Sequence, residues 1–326
     1  EDGFQRLLRP SLEREWRRRL TELAEDDAFD TYRRNLHSKL LTPPLRLHPK
    51  WGEGSSGGVV TAVLGIDPAY RTGCKLALIG STGHVLTTAV AFPHAPRACV
   101  AEAQCDDAVA LRAATVASAR VSAAKAAASS VLRAMLWKGL GAGKEDPEES
   151  VNTGVGDDIA VAGGAVQSRM VCSVGNGTAS RETECWLRQE VIDAGLAGRV
   201  AYCVVDESGA SVYSASPLAA KELPGMDVTM RGAVSIARRL LEPLAEFVKI
   251  CPQSIGVGLY QHDVNRKRLG SETRAAVVDC VNAVGVDVNT ASPPLLEHVA
   301  GLSPALAQAI VDRRADQGPF ATREDL

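Results

Sequence analysis

Between Val63 and Gly73 the chain reads VLGIDPAYRTG, and this stretch limits the fold more than any other. An apolar run leads to one acid, then to a Pro, a turn and a Gly, and a second apolar run follows from Lys75 to Ile79. Such a segment reads as a buried strand that ends by presenting a single carboxylate. Asp67 is then either the start of an Asp-Pro turn or a ligand for a divalent cation.

The 326 residues suffice for two or three domains with a full core. Glu1 stands where Met would begin an intact chain, so a piece of a longer protein is expected. With 45% hydrophobic and 23% charged residues, no apolar run of membrane-spanning length and no secretory leader, the sequence predicts a soluble protein. Eight scattered Cys without a CxxC pair fit free thiols in a reducing compartment better than a zinc site or a disulfide scaffold. A net charge of −3 excludes a uniformly basic coat, so any nucleic-acid contact must rest on local patches.

Residues 12–41 read as helical, with Arg14, Arg17, Arg18 and Arg19 beside Glu13 and Glu15; a solvated face is the plainer account of that cluster. Pro43-Pro44 stops the helix and Gly52 to Gly58 reads as a linker. Strands are then expected over 59–66, 74–79 and 85–92, the last two joined by a hairpin at Ser81-Thr82-Gly83. An Ala-rich helix is expected within 98–135, and a Gly- and acid-rich surface insertion over about 139–167. Its GLGAGKE lacks the first Gly of a phosphate loop and has Glu145 where Ser or Thr is needed. Strand 170–174, a helix from Ser180 to Ala194 and strand 200–205 make a parallel unit. Three antiparallel strands followed by alternating helix and strand is the order of a ribonuclease H-like sheet. A further helix, 232–241, puts Ala233, Ile236, Ala237, Leu240 and Leu241 on one face.

Near the C-terminus, Ser292-Pro293 and Ser303-Pro304 each begin a short helix, with Ser as cap and Pro in the first turn. Joined through Gly301-Leu302-Ser303, they describe a helix-hairpin-helix, which aims backbone N–H groups at a phosphate regardless of sequence. Arg313 and Arg314 either add phosphate contacts or favour the helix's negative pole. In QHDVN, Asp263 is placed to cap the helix carrying Arg266, Lys267 and Arg268, which is preferred to a His262-Asp263 metal pair.

Two readings compete for VGNGTAS. One is a dinucleotide fingerprint with Gly175 and Gly177 at the turn and Asp206 for a ribose, weakened by Ser180 at the third small position and by the three preceding strands. The other is a loop at a helix start, Gly175-Asn176-Gly177, that holds a nucleic-acid phosphate, or merely turns.

Seven long segments, among them VLGIDPAYRTGCKLALI, SVGNGTASRETE, ESGASVYSASPLAAKELP and DCVNAVGVDVNTASPPLLEHVAGLSPALAQAIVDRRADQGPF, resemble the bacterial-type transcription accessory proteins of the Tex family. The resemblance implies an α/β plus all-α chain: a helical segment over 1–50, a YqgF/RuvC-like ribonuclease H domain with a mixed five-stranded sheet over 59–250, and a truncated helix-hairpin-helix region over 251–326. It implies nucleic-acid binding, to RNA or DNA through backbone contacts, and an association with the transcription machinery rather than with membranes. An intracellular location follows, cytoplasmic in a bacterium and nuclear or organellar in a eukaryote. The family also has an S1 domain and a further N-terminal helical region, which this chain does not show.

Two-metal phosphodiester hydrolysis needs three or four converging carboxylates. Asp67, Glu207 (the residue that matches the family pattern, next to Asp206) and Glu182 are the candidates, with Asp67 as metal ligand if the site is active. The helix that should supply the last acid begins with Arg231, which repels a second ion. A sheet that keeps its shape without full catalysis and needs no cofactor is therefore preferred. The alternative is a structure-selective nuclease using Mg or Mn.

Overall fold

The computed structural model describes residues 2–45, 60–94, 108–141 and 168–325. The Gly52–Gly58 linker, the start of the Ala-rich helix and nearly all of the 139–167 insertion lie outside them. In chain order the elements are α1 (Arg9–Leu40), β1 (Val60–Asp67), β2 (Cys74–Gly80), β3 (Val85–Ala91), α2 (Ala108–Gly139), β4 (Arg169–Gly175), α3 (Ser180–Asp193) and β5 (Val200–Val205). There follow α4 (Ala210–Ser214), α5 (Pro217–Glu222), α6 (Val228–Leu241), α7 (Pro243–Phe247), α8 (Arg266–Val284), α9 (Pro293–Leu296) and α10 (Pro304–Gln317).

These elements form two compact units, Pro43–Glu242 and a second made of Glu1–Thr42 with Pro243–Leu326. The N-terminal helix thus groups with the C-terminal helices instead of standing as a segment of its own. None of the helices among the described residues is long and apolar enough to cross a membrane. The six described cysteines are free.

In the first unit the sheet order is β3-β2-β1-β4-β5. β1–β2 and β2–β3 are antiparallel, and β1–β4 and β4–β5 are parallel. This is the mixed five-stranded, ribonuclease H-like order. Side chains alternate across a strand, and here the alternation sorts the core into two layers. Ala62, Leu64, Ile66, Cys74, Leu76, Leu78, Met170, Cys172 and Val174 pack with Leu132 and Leu136 of α2 and Trp186 and Leu187 of α3. Val63, Ala77, Ile79 and Val171 pack with Ala233, Val234 and Ala237 of α6. Asp67 shares its parity with Val63, so it points to the α6 side.

Helix α6 starts earlier than its apolar period suggests. Asp227 caps it, accepting from the Thr229 N–H at 2.8 Å. The helix lies close on the sheet because β1 carries Gly65 there; a β-carbon at that position would stand 2.1 Å from the Ala233 carbonyl oxygen.

In the other unit, the second half of α1 buries Phe29, Tyr32, Leu36 and Leu40, and α8 packs against it. The first half leaves Leu12, Trp16, Leu20 and Leu23 exposed, while Arg18 and Arg19 pair with Glu15, as a solvated face does. Asp263 does not cap α8. Asn265 does, because it is the last extended residue before the helix, and its Oδ1 accepts from the N–H groups of Lys267 (3.0 Å) and Arg268 (3.2 Å).

Candidate carboxylate site and nucleic-acid interface

Asp67 ends β1 directly opposite Lys75 of β2. Lys75, buried within an otherwise apolar strand, donates to the Thr72 hydroxyl. Burial raises the Asp67 carboxyl above its usual range, and the Lys75 charge opposes that shift. Glu207 follows β5 and reaches back over the end of β4. Its Oε1 would be 1.7 Å from a β-carbon on Gly177, and its Oε2 2.4 Å from one on Gly175. Both glycines therefore make room for this carboxylate. The Gly177 N–H donates to it, and the Glu207 N–H donates to Asn176 Oδ1 at 3.1 Å. Burial first, and then the Asp67 charge, raise the Glu207 carboxyl. Glu207 Oε2 has no hydrogen-bond partner.

Arg239 holds the turn that aims Glu207. Buried on α6, it donates to the carbonyls of Asp206 (2.5 Å) and Ser208 (2.9 Å). Sequence reasoning missed both Arg239 and Lys75, although each is a cation interrupting an apolar face, which is the available signal. Asp206 turns the other way and accepts from the Ser208 N–H and hydroxyl. The dinucleotide reading fails on these two facts: the ribose acid is engaged in its own turn, and Glu207 fills the space beside the glycines.

Glu182 is exposed in the first turn of α3 and accepts from the Tyr70 hydroxyl at 2.6 Å. With Asn176, Gly177 and Glu184 it lines a shallow groove of about 380 Å³. Arg231 is directed to the carbonyls of Met226 and Ser214. The α6 position that faces Asp67 is instead Gly232, whose β-carbon would lie 3.5 Å from Oδ2. Where a metal centre would want an acid, the helix offers no side chain. Among the described residues no three or more His, Cys, Asp or Glu side chains are grouped to hold a metal ion. Two carboxylates beside a buried ammonium do not fit a centre for two divalent cations.

The hairpin of the other unit is built differently. Gly301, at φ +91°, makes the left-handed turn between α9 and α10. Ser303 then caps α10, its Oγ accepting from the Leu306 N–H at 3.3 Å. Leu302 is half-buried, and Gly301 and Ser303 are exposed. Ser292 departs from expectation: it precedes α9 but makes no side-chain cap bond, and its Oγ is buried without a partner. Asn282 of α8 fixes the turn, accepting from the Ala300 N–H at 3.0 Å and donating to the His298 carbonyl at 3.2 Å. Both arginines have partners within the fold. Arg314 donates to the Val288 carbonyl at 2.9 Å, and Arg313 lies over the Phe320 ring, 4.8 Å from its centre. The exposed start of α10 is left as the face on which a phosphate could rest.

Comparisons with known proteins match both regions. The model of the Tex protein YqgF-like domain matches residues 61–134 and 160–241, and that of a helix-hairpin-helix motif matches residues 281–326. The transcriptional accessory protein Tex of Neisseria gonorrhoeae is 39% identical over 316 residues, 97% of this chain and 32% of that protein. The uncharacterized protein YdcI of Bacillus subtilis is 40% identical over 326 residues, 36% of its length. The human S1 RNA-binding domain-containing protein 1 is 36% identical over 329 residues, 26% of its length. The chain thus spans about a third, or less, of these relatives. Sharing their sequence from end to end of that span, with the YqgF-like domain and the hairpin both in place, the chain belongs to the Tex family.

Proposed function

We propose that this chain is a nucleic-acid-binding part of an intracellular scaffold accessory to transcription. In this reading the hairpin is its phosphate-contacting element and the sheet domain is not a catalyst. The observation that carries the reading is the exposed, Ser303-capped start of α10, held in place by Asn282. N–H groups at a helix start favour an anion whatever the base sequence. The names of two relatives, one a transcriptional accessory protein and the other an S1 RNA-binding domain-containing protein, agree with such a role.

The test is a gel shift with duplex DNA and with RNA over a range of salt, comparing the wild type with Ser303→Asp. Aspartate still caps a helix, so the fold survives, but its charge opposes a phosphate. Binding that weakens with salt and falls about tenfold in the variant supports the reading. Equal binding by both, or none at low salt, sinks it. The non-catalytic part is tested separately, by incubating branched DNA and RNA with Mg or Mn. Cleavage that Asp67→Asn abolishes would establish a nuclease instead.

A further inference from the structure

Residues 255–260 lie along the second half of α1, and three side chains of that helix fix them. Tyr32, Asn35 and Lys39 donate to alternate carbonyls, those of Leu259 (2.8 Å), Val257 (2.8 Å) and Ile255 (2.6 Å). Gly258 allows the Tyr32 ring to lie against the backbone: a β-carbon there would stand 2.4 Å from a ring carbon. Gln261 Nε2 donates to the Gly258 carbonyl at 3.1 Å, and the Asp263 N–H to that of Tyr260 at 3.0 Å. Every carbonyl from Val257 to Tyr260 is therefore engaged.

This rigid segment turns two large apolar side chains outward. Leu259 is 79% exposed and Tyr260 75% exposed. Tyr260 also has φ +58°, a conformation that a bulky L-residue rarely adopts. A loop held this firmly in an unfavourable conformation, to display a ring that is three-quarters exposed, suggests a role for the ring in contact with something else. The following residues supply charge. Arg266 and Lys267 open α8 exposed, with Arg266 3.5 Å from the His262 ring; Arg268 is engaged with Asp26 and Glu272. Asp263 is the one carboxylate on the turn itself. An exposed ring followed a few residues later by exposed cations supplies the groups that take an unpaired base and its phosphate.

We propose that Tyr260 is a stacking platform for a base of single-stranded nucleic acid, with Arg266 and Lys267 facing the adjoining phosphates. This deepens the nucleic-acid reading above and rests on it. The test measures fluorescence anisotropy of the whole chain with labelled oligo-uridine RNA, oligo-thymidine DNA and a blunt DNA duplex. Three proteins are compared: wild type, Tyr260→Asn and Tyr260→Phe. Asparagine tolerates the left-handed backbone, so that variant removes the ring and leaves the loop in place; a thermal melt no lower than wild type checks this. The expected result is single-strand affinity about tenfold weaker in Tyr260→Asn and retained in Tyr260→Phe, with duplex affinity unchanged. The RNA and DNA arms then tell which strand is preferred. Equal single-strand binding by wild type and Tyr260→Asn overturns the platform, while leaving the hairpin reading intact if duplex binding persists. Failure of the wild type to bind any oligonucleotide overturns both, and would favour a protein partner for the exposed ring.

Discussion

Glu207 occupies the volume that a side chain on Gly177 would need, with its Oε1 1.7 Å from where that β-carbon would be. The loop whose spacing resembles a phosphate cradle thus holds a carboxylate of its own chain. The Asp67 charge, after burial, helps to raise that carboxyl. The rim of the sheet therefore carries two acids, of which Glu207 is given room by glycines and aimed by Arg239.

The two glycine contacts differ in what can yield. At Gly65 the obstacle is the Ala233 backbone, whereas at Gly177 it is the end of a flexible side chain. Gly65→Ala is expected to cost about 3 kcal/mol or more, and Gly177→Ala about 1 kcal/mol. In urea unfolding, Glu207→Ala should largely rescue Gly177→Ala and should do nothing for Gly65→Ala.

Both acids have carboxyls raised in the folded state. The fold therefore binds their protons more tightly than the unfolded chain does. The stability they contribute is present at low pH and is lost as pH rises through the raised range, above the ordinary values near 4. Glu207→Gln removes one charge and can still accept from Gly177. It should be more stable than wild type at pH 7, an advantage that shrinks on acidification toward pH 4. Unfolding curves at several pH values measure the difference, and a variant less stable than wild type at pH 7 contradicts the repulsion.

Asn282 makes two backbone bonds to the hairpin turn. Asn282→Ala should cost about 1–2 kcal/mol of stability and weaken duplex binding together. Asn282→Asp keeps the bond from Ala300 but cannot donate to His298, and should fall between. Gel shifts with the three proteins give the order; wild-type affinity in Asn282→Ala would show that the turn needs no support.

The two halves of α1 should respond differently to truncation. Trp16 is 66% exposed and Leu36 is fully buried. Trp16→Ala should change unfolding by no more than about 0.5 kcal/mol, and Leu36→Ala should cost about 3 kcal/mol. A large effect at Trp16 would mean that the exposed stripe packs against something in solution.

The amino-acid sequence alone determined the elements and their order. Near-continuous apolar runs in 59–66, 74–79 and 170–174 mark strands buried on both faces, and Ser303-Pro304 after Gly301 marks the hairpin. These are local patterns, an apolar run of a few residues or a cap, so they need no partner to be seen. Asp67 and Glu207 were legible as acids at strand ends for the same reason. Tertiary structure decided what surrounds them: that Gly232 and not Arg231 faces Asp67, that Asp206 bonds its own turn, that Arg239 holds Glu207 in place, and that Asn265 caps α8. Each depends on which way a side chain leaves its turn and on what a distant segment brings against it. A shift of one residue reverses the direction, and the neighbours that fill the space are set by packing between segments far apart in the chain.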